Sequence, residues 1–161
     1  MRLIVHSVFS ITVYTLLLSA CSMHSDNTAT DYLDASYIVN GESVMLSDDN
    51  NNFHVFGNEA TGDIDGDGSS DIVFLFTQDT GGGSGVFFYV AAALKKGEKY
   101  QGTNAVFLGD RIAPQTTEIH SGDIIVNYAI RKPADPMTTD PNVGVSMYLL
   151  ISGSTLREVR K

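Results

Sequence analysis

The sequence predicts a mainly β domain: a single antiparallel sheet that curls or doubles over itself, with short helices possible in the connections and an α+β arrangement as the alternative. Three observations predict it. Two continuous apolar runs, Ile72 to Phe76 and Val86 to Leu94, are rich in branched and aromatic residues and too short to span a membrane. Two later segments alternate apolar with polar residues, and glycine turns separate the apolar segments throughout. No segment of the domain shows a sustained helical period.

Taken in order, Tyr37-Ile38-Val39, Asn40-Gly41 and Glu42 to Leu46 form a hairpin signature, because Asn-Gly accepts the positive φ angles of a type I′ turn. The two apolar runs are expected to be central strands buried on both faces. Further on, Ile124, Val126, Tyr128 and Ile130 share one face of a strand, and Val145, Met147, Leu149 and Ile151 share one face of another. Turns at His120 to Asp123 and Ser152 to Ser154 would pair these strands with Thr116 to Ile119 and Leu156 to Val159. Pro133, Pro136 and Pro141 remove ladder donors, so the segment between them is read as a surface loop.

The N-terminus has a different character. Arg2 precedes a mostly apolar stretch from Leu3 to Leu18 that ends in Leu18-Ser19-Ala20-Cys21. That is the order of an export signal, and polar interruptions at His6, Ser7, Ser10, Thr12 and Thr15 leave it short of the roughly 20 predominantly apolar residues of a stable span. Leu-Ser-Ala-Cys resembles the lipobox of bacterial lipoproteins, in which cleavage before a lipidated cysteine makes that cysteine the first mature residue. The alternative is an ordinary secretory signal, which small residues at Ser19 and Ala20 would also serve; against it, the chain's only cysteine falls at the position lipidation requires.

The expected organisation is therefore a signal peptide over 1–20, a lipidated Cys21 with a flexible polar tether to residue 36, and one β-rich domain over 37–161. Two or more acyl chains on Cys21 would hold the domain on a membrane stably, at about 0.8 kcal/mol per buried methylene. Ser22 stands where an aspartate would resemble an inner-membrane retention signal, which in a Gram-negative envelope favours the outer membrane. With its one cysteine lipidated, the mature chain has no internal disulfide. Loss of Arg2 from ten basic residues leaves nine against nineteen acidic, a surface unsuited to nucleic acid or anionic lipid.

The most informative internal segment is Gly62-Asp63-Ile64-Asp65-Gly66-Asp67-Gly68-Ser69-Ser70-Asp71. Carboxylates this dense repel one another unless a cation sits among them. With Asp63 as position 1 of a calcium loop, Asp65 is 3, Asp67 is 5, Gly68 is 6, Ser69 is 7 and Asp71 is 9, each of the type calcium coordination wants. Position 12, the bidentate glutamate of an EF-hand, is Phe74, and a strand follows the loop, so the EF-hand is excluded. A calcium ion here would be structural and weakly held, at about 10⁻⁴ to 10⁻³ M. The competing reading is a pair of Asp-Gly turns whose acidity only aids solubility, although a turn needs one aspartate and not four in register.

The loop resembles the Asp-x-Asp-Gly-Asp-Gly-x-x-Asp segments of integrin-type FG-GAP and VCBS repeats, in which the loop leads directly into a strand. One copy excludes the propeller such repeats build. Together with Gly82-Gly83-Ser84-Gly85-Val86-Phe87-Phe88-Tyr89, Ala105 to Ile112 and Ile119-His120-Ser121-Gly122-Asp123-Ile124-Ile125-Val126, it is similar to a group of small bacterial envelope proteins, many of them lipoproteins, over roughly Tyr37 to Val159. Many members carry paired cysteines after an Asp-Pro-Met; Thr138-Thr139 follow Asp135-Pro136-Met137 here, which removes any disulfide role from that loop. The resemblance implies a compartment and a fold but carries over no catalytic residue.

Other candidates are weaker. Gly81 to Gly85 lacks the lysine and helix of a phosphate loop, and Val86 stands where the last glycine of a nucleophile elbow belongs. His54 and His120 have no soft ligand at metal spacing. Asp110-Arg111, after an apolar strand, could lock a loop or hold a ligand's carboxylate, with the structural role preferred. The leading functional expectation is a non-catalytic, calcium-stabilised envelope module that contacts another protein or the cell wall. The second is a small-molecule or sugar site among Tyr89, Tyr100, Tyr128 and Tyr148. An enzyme is the third, since no paired acid and base or nucleophile stands out.

Overall fold

The computed structural model describes residues 28–49, 51–83 and 85–160. The segment expected to be a signal peptide, Cys21 and the first part of the expected tether lie outside the described residues. Twelve strands are β1 (Thr28–Ala29), β2 (Ser36–Val39), β3 (Glu42–Met45), β4 (Phe53–Gly62), β5 (Asp71–Asp79), β6 (Val86–Lys96), β7 (Lys99–Gly102), β8 (Val106–Asp110), β9 (Ala113–His120), β10 (Asp123–Ile130), β11 (Val143–Ser152) and β12 (Thr155–Val159). One short 3-10 turn, Tyr32–Asp34, is the longest helical piece among the described residues, so they do not adopt the α+β alternative.

The nearly all-β, antiparallel fold expected from the sequence is the one the chain adopts, and it does not close into a barrel. The doubling over is made by separate sheets. A six-stranded sheet runs β1-β7-β6-β5-β4 with β8 also on β6; a four-stranded sheet runs β12-β11-β10-β9; and β2-β3 is a hairpin. That hairpin turns through Asn40 and Gly41 at φ 53° and 89°, and the β9-β10 turn passes through Ser121 and Gly122 at φ 53° and 86°, the left-handed pairs a type I′ turn requires.

Strands β5 and β6 lie at the centre and are buried on both faces, as their continuous apolar runs predict. Because side chains alternate, Val73 and Leu75 of β5 with Val90, Ala92 and Leu94 of β6 face one way and pack on Ile124, Val126, Tyr128, Leu149 and Leu156 of the four-stranded sheet. Phe74 and Phe76 with Tyr89, Ala91 and Ala93 face the other way and pack on Ala35, Tyr37, Val39 and Leu46. Three layers therefore share two cores. Fully burying a side chain of this size contributes about 1.5–3 kcal/mol.

The domain begins earlier than expected. Residues 28–36, read from their polarity as tether, are part of the fold: β1 pairs with β7, and the Tyr32–Asp34 turn is capped by Asp31, whose Oδ1 accepts the Leu33 N–H at 2.9 Å. Tyr32 sets its ring edge-on to Phe74 at 5.1 Å, and Ala35 is fully buried. Two aromatic and aliphatic contacts and a cap outweigh the polar composition of the segment.

Edge strand β4 carries two register shifts around Gly57 and Asn58, both with left-handed backbones. Such bulges twist an edge away from further pairing. Here the twist brings β4 to β9, where Asn58 Nδ2 donates to Thr117 Oγ1 at 3.2 Å.

Candidate metal centre

The acidic loop connects β4 to β5 and is closed at its base by the pairing of Gly62 with Asp71. Its carboxylates fold it. Asp63 accepts the Gly66 N–H on Oδ1 at 2.7 Å and the Gly68 N–H on Oδ2 at 3.0 Å. Asp65 Oδ1 accepts the Asp67 N–H at 3.2 Å, and Asp67 Oδ1 the Ser69 N–H at 2.8 Å. Gly66 and Gly68 sit at φ 79° and 85°, where a Cβ is disfavoured, which explains the glycines between the aspartates. Ile64, between the first two aspartates, is buried in the inter-sheet core and pins the loop to the domain.

Asp71 is fully buried. Its Oδ2 accepts the Ile64 N–H at 3.0 Å and its Oδ1 the Lys95 N–H at 2.8 Å, so one carboxylate joins the loop, β5 and β6. Burial pushes its pKa up, against those two hydrogen bonds and with the help of the Asp65 and Asp67 charges.

Carboxylate oxygens of Asp63, Asp65 and Asp71 converge, all within 4.8 Å of one another. Asp67 stands outside this triad: its Oδ2 bonds Lys96 Nζ at 2.7 Å, and the same ammonium also bonds Asp65 Oδ2. Ser69 gives its N–H to Asp67. Three of the five residues expected to ligate are thus brought together. Lys96 holds Asp67 down to about 2, chiefly by its hydrogen bond, and is itself raised by the two carboxylates.

Lys96 was not legible as a site residue from loop spacing, because it lies some thirty positions downstream; the signal was strand alternation. Lys95 projects to the hairpin side, its Nζ 4.3 Å from the centre of the Tyr100 ring, so Lys96 projects to the loop side. The triad is hard and anionic, and a positive group already rests on one of its members. That donor set fits a hard divalent cation, with Asp63, Asp65 and Asp71 as the residues that would hold it. Open clefts of about 690 Å³ and 380 Å³ flank the loop and meet at Asp65; the smaller is lined also by Lys96, Gln101 and Ser154.

Asp110 and Arg111 lock a loop. Arg111 donates from Nε to Asp110 Oδ1 at 3.0 Å and from Nη2 to Oδ2 at 2.7 Å, while the Val86 N–H donates to Asp110 Oδ1 at 3.0 Å. The Arg111 N–H donates to the Val86 carbonyl, and Arg131 Nη1 to the Arg111 carbonyl at 2.9 Å. These bonds join the β8-β9 turn to the start of β6 and to the proline-rich loop. The guanidinium holds the Asp110 carboxyl below its ordinary range.

The four tyrosines do not share a pocket. Tyr89 is buried in the core beneath the hairpin and Tyr128 in the core between the sheets, while Tyr100 packs edge-on to Tyr32 and Tyr148 alternates to the outer side of β11 from buried Leu149. His54 and His120 stand apart, beside Asp79 at 3.4 Å and Glu118 at 3.0 Å. Among the described residues the Asp63, Asp65 and Asp71 triad is the one cluster of potential metal ligands.

Comparison with protein-family models, curated proteins and solved structures finds no match to this chain.

Proposed function

We propose that the chain is a lipid-anchored module of a bacterial cell envelope, attached through Cys21, whose β domain is stabilised by a structural calcium ion and works by contact with another envelope protein or the cell wall. Convergence of Asp63, Asp65 and Asp71 on one point carries the calcium reading. An ion there would tie the β4-β5 loop to β5, and through Asp71 to β6, at the end of the molecule where the two clefts open. The anchor rests on Leu18-Ser19-Ala20-Cys21, and the outer membrane on Ser22. The filled cores and the separation of the tyrosines favour this reading over an aromatic sugar pocket.

Melting the full-length protein in detergent with millimolar calcium, and again with chelator, tests the ion. The expected result is a higher midpoint with calcium that Asp65→Ala abolishes; identical midpoints would exclude it. Cys21→Ser should move the protein out of the membrane fraction and end incorporation of labelled fatty acid. Retention of both in that variant would exclude the anchor. Pull-down from solubilised envelope then asks for the partner.

A further inference from the structure

Two cations cannot share Asp65 comfortably. The Lys96 ammonium bonds Asp65 and Asp67, and Asp65 is also one corner of the triad. We infer that Lys96 is the loop's internal cation: it holds the loop closed when no metal is bound, competes with calcium for Asp65, and leaves when the metal binds. The inference rests on the calcium reading above but concerns a residue outside the calcium loop.

Charge requires some such device. Asp63, Asp65, Asp67 and Asp71 lie within nine residues; Asp63 and Asp67 are exposed, but Asp71 is fully buried, and it is there that repulsion from its neighbours is least screened by solvent. Backbone N–H donors satisfy the carboxylates' hydrogen bonding but add no net charge. Among the bonds seen within the loop, the ammonium is the one contact that supplies a full positive charge.

The position of Lys96 suits both states. It ends β6, one residue beyond the Lys95 N–H that bonds Asp71, so its stem is fixed to the strand that bonds Asp71 at the base of the loop. Its side chain is 38% exposed, against 13% for Asp65, and it borders the 380 Å³ cleft, so the ammonium has solvent and space into which to swing. A doubly charged ion at the triad would repel the ammonium beside it and would also bind Asp65 more strongly than a single charge does. A tethered cation of this kind keeps the loop folded when calcium is scarce, at the expense of calcium affinity.

The test uses the full-length protein in detergent, with Lys96→Gln, Lys96→Met to keep the apolar stem, and Lys96→Arg to keep the charge. Calcium affinity is measured by calorimetry, and hydrogen exchange at Gly66 and Gly68 reports loop closure. In chelator, Gln and Met variants should lose protection at these amides while Arg keeps it. Their calcium affinity should rise about tenfold, as expected when one like charge is removed from beside the ion. Wild-type calcium affinity in both uncharged variants would overturn the inference and leave the calcium reading standing. If no variant bound calcium, the calcium reading and the competition would both fall. Unchanged exchange at Gly66 and Gly68 in chelator would overturn the loop-closing role whatever calcium does.

Discussion

Asn104 and Leu156 are joined like two residues of neighbouring strands: the Leu156 N–H donates to Asn104 Oδ1 at 2.7 Å, and Asn104 Nδ2 donates to the Leu156 carbonyl at 3.0 Å. The side-chain amide stands in for a peptide group and ties the β7-β8 connection to β12, so that the two large sheets are bonded where no strand crosses between them. Thr103, buried beside it, accepts the Ala92 N–H on Oγ1 at 3.0 Å and donates to the Asn104 carbonyl at 2.9 Å. The clamp is held from behind.

Removing it should loosen the sandwich. Asn104→Ala leaves both backbone groups of buried Leu156 without this partner, and each unsatisfied group costs about 1–3 kcal/mol. Asn104→Asp keeps the acceptor for the N–H but has no donor for the carbonyl, so its loss should be intermediate. Urea denaturation of the three proteins checks the order, and equal midpoints for Ala and wild type would show that the amide holds nothing.

Gly102 permits a close approach that no other residue can. A Cβ there would lie 2.3 Å from the Ser36 carbonyl oxygen and 2.9 Å from Tyr37 Cδ1. Gly102→Ala should therefore push β2 off β7 and destabilise the domain by at least about 1–3 kcal/mol, the usual range for overpacking. Gly144→Ala meets open space and should stay within about 0.5 kcal/mol of the parent. Hydrogen exchange at Ile38, whose N–H donates to the Thr103 carbonyl just beyond β7, compared between the two variants, locates the damage.

Asp71 binds two backbone donors, one from the acidic loop and one from β6, with one carboxylate. Asp71→Asn retains one acceptor oxygen and presents an N–H₂ to the other donor, so one of the Ile64 and Lys95 amides goes unpaired. In chelator the expected cost is about 1–3 kcal/mol, reduced by the relief of a buried charge. Calorimetric melting reads it, and a variant as stable as the parent would mean that desolvation of the carboxylate cancels its hydrogen bonds.

Acid should weaken the Asp110 lock. Because the folded-state pKa of Asp110 is depressed below the ordinary 3.8, its contribution is fully present above that value and is lost as pH falls through the lower folded value. Asp110→Asn should be less stable than the parent at neutral pH, and the gap should narrow in strong acid. Denaturation midpoints across the acid range test this; a constant gap would show that ionisation of Asp110 plays no part.

Much of the fold was legible in the residues themselves. The Asn40-Gly41 and Ser121-Gly122 turns, the doubly buried β5 and β6, and the alternating faces of β10 and β11 follow from local rules: which residues accept positive φ, and the two-residue period of a strand. The spacing of the acidic loop was legible for the same reason, since Asp63 to Asp71 are close in sequence and fold through bonds to their own backbone. Composition was a poorer guide over residues 28–36, where Tyr32, Leu33 and Ala35 dock despite polar neighbours.

What the sequence by itself determined is therefore the hairpin, the two central strands, the alternating C-terminal strands with their turns, and the acidity of one loop, but not β1, β4 or β7. Tertiary structure decided which groups from distant strands meet: Lys96 on Asp65 and Asp67, Asn104 on Leu156, Ser36 against Gly102, and the division of Tyr89 and Tyr128 between separate cores. Those contacts depend on sheet order and on how the layers stack, which arise from long-range burial and not from the preferences of any short segment.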